Sequence, residues 1–284
     1  MGVIIYTELL KIKRASMLKA GAIIVALSCV LSVIPVFARD STVKNFALLM
    51  GNILENNCIY FSPVLTVLLG SYMMERETTD DTLKNMLTIP VSFQRILLGK
   101  LMVLLVVVSF FGVGSSVLGS LLGAALKLPG IGAGSVLMWS VRIICANILI
   151  FAAVLPITVL AACKEGAMLV GTAAAFVYGF LASIDWKPMN YYPVKAVMIL
   201  LRPEYGDKYD WLHYSRPIAA AVIAAVFLAS FVLIKRMKPA ERKNRASKVS
   251  RKRGVPYVGI LSLSVVTLIL AQSDFTTLVS AEVV

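Results

Sequence analysis

ERETTDDTLKNMLTIPVSFQRILLGK, residues 75–100, is a charged, helix-patterned interruption between long apolar runs, and the fold is decided by how it is read. Leu83, Met86 and Leu87 fall at helical spacing on one face while Thr82, Lys84, Asn85 and Thr88 fall on others, which predicts a short amphipathic helix over residues 79–89 at a membrane surface. Thr78 and Asp81 have capping-box spacing ahead of it. Pro90 ends it, because proline lacks an N–H and biases Ile89 away from helical angles; Ser92 is then placed to cap a second helix that climbs through Leu97 and Leu98.

Outward from this stretch the chain is apolar. Of 284 residues 59% are hydrophobic and 15% charged, and the mean hydropathy of +0.85 exceeds what one soluble core can hide. The composition predicts an all-α, polytopic membrane protein. The formal charge of +13 is concentrated: residues 235–253 hold ten Lys/Arg against Glu241 alone. Such a run reads as a stop-transfer signal attracting membrane lipids, and nucleic acid is not an expected partner. Cys29, Cys58, Cys145 and Cys163 lie in or beside apolar runs without metal-ligand spacing and read as small buried hydrophobes.

Residues 1–19 mix Ile4, Ile5, Leu9, Leu10 and Ile12 with Glu8, Lys11, Lys13, Arg14 and Lys19, as an amphipathic helix in the headgroup plane would. Residues 20–236 then read as a six-span bundle. Its expected spans are Ala20–Phe37, Cys58–Met74 with a kink at Pro63, Leu101–Leu126, a fourth ending near Cys163, Ala167–Ser183 and Pro217–Ile234. Residues 39–57 and 127–134 read as outer loops. Gly119 with Gly123, and Gly112 with Ser116, have small-xxx-small spacing, read as close packing within the subunit in preference to a dimer seam. Arg142 is the one charge well inside an apolar run, and snorkelling to the interface is its expected behaviour. Residues 185–215 form an aromatic-rich outer loop whose apolar piece, 194–201, is too short to cross and reads as interfacial or re-entrant. A polybasic linker, 237–254, leads to 255–284, where 255–271 is either a seventh span or a segment on the inner face.

The threading puts nineteen of 28 Lys/Arg on one side, which by the positive-inside rule is the cytoplasm. Chemistry of its own is not expected of the chain. No phosphate loop or HExxH is present, the single histidine, His213, has no nearby second ligand, and no base activates a serine; catalytic residues, cofactors and metals are all predicted to be none. Transport or scaffolding remains. A secondary transporter would need intramembrane carboxylates, which the predicted spans do not offer. A lipid-sensing scaffold would work through the basic run.

Glu75–Lys100 resembles the first cytoplasmic loop of type 2 ABC transporter permeases: an acidic start at Glu75 and Glu77, then Thr82, Leu83 and Leu87, a break at Pro90 with Ser92, and Lys100 before the next span. Thr82–Pro90, TLKNMLTIP, is similar to the bacitracin and lantibiotic immunity or export group, and the basic start with Glu8, Lys11 and Arg14 resembles that family's connecting helix. Asp81 departs from the glycine many members carry there, and the chain continues where most of them end.

The resemblance implies a six-helix ABC exporter permease bundle in which 79–89 is a coupling helix seated in a separate ATPase, with ATP and Mg bound on that partner. Leu83, Met86 and Leu87 would supply its apolar seat, while Glu75, Glu77, Asp80 and Asp81 would meet basic groups. A second permease subunit, identical or homologous, a bacterial plasma-membrane location, and an amphipathic cargo such as an antimicrobial peptide are further expectations of the same likeness.

Overall fold

A segment that crosses lipid must satisfy its own backbone N–H and C=O groups, and the apolar runs of this chain are accordingly helical. The computed structural model describes residues 2–13, 16–38, 44–79, 92–164, 166–185, 187–202 and 215–237. Among them the elements are α1 (Gly2–Lys13), α2 (Ser16–Leu31), α3 (Ile34–Ala38), α4 (Phe46–Asn56), a π-turn (Asn57–Phe61), α5 (Ser62–Thr79), α6 (Phe93–Ala125), α7 (Ala133–Ala162), α8 (Met168–Phe180), 3-10 turns at Leu181–Ser183 and Lys187–Tyr191, α9 (Pro193–Leu201) and α10 (Arg216–Arg236). The protein is an all-α polytopic membrane protein. Among the described residues five stretches are long and apolar enough to cross: Met17–Phe37, Phe46–Arg76, Phe93–Ala125, Ala133–Ala162 and Arg216–Arg236.

Several expectations are corrected. Residues 46–57 are not a loop: α4, the π-turn and α5 run on as one rod, started by Asn45, whose side chain accepts from Leu48 N at 2.8 Å. Phe46, Leu49, Met50, Ile53 and Leu54 are fully buried at helical spacing, which holds the segment in the bundle despite its polar residues. One of those, Glu55, is a carboxylate within a candidate span, contrary to expectation. Ser92 stands at the start of α6, but its side chain makes no capping bond; its carbonyl accepts from Arg95 N at 2.9 Å instead. The expected fifth span has 13 α-helical residues, about 20 Å at 1.5 Å per residue against roughly 30 Å of hydrocarbon, extended by the 3-10 turn. The 194–201 segment, expected to be interfacial or re-entrant, is a helix packed among the others: Val194, Ala196, Val197, Met198 and Ile199 of α9 are all fully buried.

Pro63 produces a π-turn. Its missing N–H cannot bond the Ile59 carbonyl, and the turn closes through Ser62 N to the carbonyl of Asn57, five residues back. The connection between α6 and α7, expected as a loop, has positive φ at Lys127 (50°) and Gly130 (89°) and a bond from Leu128 N to Gly123 O at 3.1 Å.

The small residues of α6 face other helices of the same chain. A Cβ on Gly119 would lie 2.6 Å from Ile53 Cδ1, one on Gly123 would lie 2.7 Å from Phe46, and one on Gly112 would lie 3.1 Å from Ile144 Cα. Arg142 is half-buried, its guanidinium 4.9 Å from the Trp139 ring centre. Two apolar clusters result. One gathers Phe46, Ile53, Ile143, Ile150, Val197 and Ile199; the other gathers Ile12, Met17, Met73, Phe93, Leu97, Leu155, Met168 and Ile234, at the end from which residues 80–91 depart.

Candidate functional site

The candidate site is built where α1 meets the two helices that carry the 80–91 connection. Burial of Ile12 and Met17 against Met73, Met74, Phe93 and Leu97 draws the first helix onto that end. Glu8 comes with it and is only 3% exposed. A lone carboxylate there would be costly, but Lys100 Nζ donates to Glu8 Oε2 at 2.7 Å and Lys11 Nζ to Oε1 at 2.7 Å. Lys100, itself 3% exposed, also donates to the Met73 carbonyl at 3.3 Å. One ammonium therefore joins α1, α5 and α6.

The electrostatics follow from this geometry. Burial pushes the Glu8 carboxyl up, but the charge and hydrogen bond of Lys100, with those of Lys11, outweigh it and hold the group below its ordinary value. The same end is tied to the last helix by Gln94 Nε2, which donates to the Lys235 carbonyl at 2.6 Å.

Of the residues singled out from sequence, the structure brings Lys11 and Lys100 together around Glu8 and places Glu75 half-buried on α5, two residues after Met73. Glu77 lies on the last turns of α5. Asp80, Asp81, Thr82, Leu83, Met86, Leu87 and Pro90, and with them most of the expected coupling helix, lie outside the described residues, as do Arg14, His213 and the chain beyond 237.

Sequence reasoning missed a polar seam through the middle of the bundle. Ser28 Oγ donates to Asn57 Oδ1 at 2.9 Å, Asn56 Nδ2 to Ser32 Oγ at 2.8 Å, and Ser62 Oγ to Asn147 Oδ1 at 2.5 Å. Asn147 is the one amide in the apolar run 135–162, and that isolation was the available signal. Two charged contacts at the opposite end were missed as well: Lys195 Nζ donates to Asp185 Oδ1 at 2.6 Å and to the Ala182 carbonyl at 3.0 Å, and Arg202 pairs with Glu55 at 3.0 Å.

The arrangement is mechanical. Buried ion pairs and amides join helices, and among the described residues no group of three His, Cys, Asp or Glu is placed to hold a metal. Among curated proteins none matches the chain. The family described as ABC-2 family transporter protein matches residues 4–182, more than half the chain, a span that takes in Glu8, the π-turn, the 80–91 connection and Lys100. A helix-only membrane bundle whose first helix is clamped to the flanks of that connection thus belongs to the ABC-2 transporter family, as a transport permease of the kind that works with an ABC ATPase.

Proposed function

We propose that this chain is the permease of an ATP-driven exporter in a bacterial plasma membrane, working as a pair of permease subunits with two ATPase chains. Residues 79–89 seat in the ATPase, with Leu83, Met86 and Leu87 as the apolar contact and Glu75, Glu77, Asp80 and Asp81 facing basic groups. ATP-driven closure of the two ATPases pushes this segment and tilts α5 and α6, changing access between the permease subunits. The cargo is amphipathic, of the antimicrobial-peptide class, in keeping with the likeness of Thr82–Pro90 to the lantibiotic group.

The observation that carries the reading is the Glu8–Lys100 ion pair. Both helices that flank the 80–91 connection meet at Lys100 through the Met73 carbonyl and the lysine's own helix, and Glu8 adds the first helix to the same point. A push delivered between α5 and α6 is then shared by three elements. Substituting Leu83→Asp with Met86→Asp and measuring ATPase co-purification and cargo efflux tests it. Loss of both is expected, and retained ATPase binding with normal transport would remove the coupling role.

A further inference from the structure

The seam beside the π-turn contains a donor that the protein does not satisfy. Asn57 is 3% exposed, its Oδ1 accepts from Ser28, and its Nδ2 has no partner among protein atoms. Turning the amide over does not cure the shortage, since Ser28 would then face the nitrogen and the oxygen would be stranded. The neighbouring polar atoms are already engaged: Asn147 accepts from Ser62 and donates to the Ile143 carbonyl at 2.9 Å, and Thr66 Oγ1 donates to the Ser62 carbonyl at 2.7 Å.

Asn57 lines a cavity of about 10 Å³, shared with Ser62, Thr66, Ser115 and Asn147. We infer that this cavity is a binding site for a single water molecule, which accepts from Asn57 Nδ2 and bridges the π-turn to α5 and α6. Size selects the ligand, because that volume is about the least that holds one water and is far too small for any part of a cargo. Chemistry agrees. The unmet group is a donor, which a cation would face with like polarity, whereas water accepts from it and returns two hydrogens to the lone pairs left on the lining hydroxyls. A bound water also explains how the first amide of the π-turn is kept buried: without it the N–H would bear its full desolvation cost.

The test uses the purified full-length protein in lipid nanodiscs. Ser115→Val fills the cavity and evicts the water, stranding Asn57; the melting temperature is expected to fall by several degrees. Adding Asn57→Leu removes the stranded donor, and the double variant is expected to regain most of the loss. If the cavity is dry, Ser115→Val fills a void and raises or leaves the melting temperature, which overturns the inference; a double variant no better than the single one, pointing to simple overpacking, overturns it as well. Should the single variant not fold, a density map of the wild-type protein at water-resolving quality decides: a peak within hydrogen-bond reach of the Asn57 amide supports the site, and none there refutes it.

Discussion

The carbonyl oxygen of Ile59 points at Gly179 so closely that a methyl group at 179 would collide with it. Pro63 has no N–H to offer that carbonyl, and the glycine of α8 leaves no room there for a side chain. Gly179→Ala must therefore push α8 away from the rod, at a cost of about 1–3 kcal/mol. Gly114, by contrast, has open space where a Cβ would go. A marked fall in melting temperature for Gly179→Ala beside a neutral Gly114→Ala is the expected pair of results; equal stability of the two variants would contradict the contact.

Removing one side of the buried clamp should cost more than removing both. Lys100→Met leaves Glu8, with its side chain 4% exposed, to Lys11 alone, and breaking such a pair costs about 3–5 kcal/mol. Glu8→Gln combined with Lys100→Met removes both charges and is expected to be the milder change. Thermal unfolding of the single and double variants measures the difference.

Acid should weaken the same contact. The Glu8 carboxyl is held below its ordinary 4.5, so its ionised form stabilises the fold at every pH above that value, and the contribution disappears as pH falls through the lower folded value. The wild-type advantage over Glu8→Gln is expected to be flat across the neutral range and to vanish only under acid conditions. Melting curves at stepped pH would show it; an advantage that fades near neutrality would refute the assignment.

The second buried lysine predicts an asymmetry. Lys195 has its side chain 1% exposed, whereas its partner Asp185 is 16% exposed. Lys195→Met leaves a carboxylate at the more exposed end of the pair, while Asp185→Asn takes this counter-charge from an ammonium inside the bundle that keeps the Ala182 carbonyl. The aspartate substitution should therefore be the more destabilising, and the reverse order in a stability assay would argue against the pairing.

The class of protein was legible in the chain because long apolar runs leave few alternatives, and so were the turn-rich α6–α7 connection and the burial of Cys29, Cys58 and Cys163, whereas Cys145 is only half-buried. Close packing of Gly112, Gly119 and Gly123 within the subunit could be read from spacing. What escaped was pairing at long range. Asn52, Glu55, Asn56 and Asn57 made α4 look like a loop because the groups that satisfy several of them, Ser28, Ser32 and Arg202, are distant in sequence. Glu8 and Lys100 each stood in a recognisable segment, yet nothing in a linear reading says that they meet 92 residues apart. Pro63 was read as a kink, whereas the structure has a π-turn at Asn57–Phe61 just ahead of it within a continuous rod.

The short helix Pro193–Leu201 carries a consequence for biogenesis. Nine residues rise about 13 Å, too little to lodge across a bilayer, and the segment brings Lys195 with it and ends against Arg202. A translocon releasing one hydrophobic piece at a time gives such a segment no stable resting place. Its cations pair with Glu55 and Asp185, which emerge from the ribosome earlier. Its entry must therefore be a late event, made laterally into an assembly already standing.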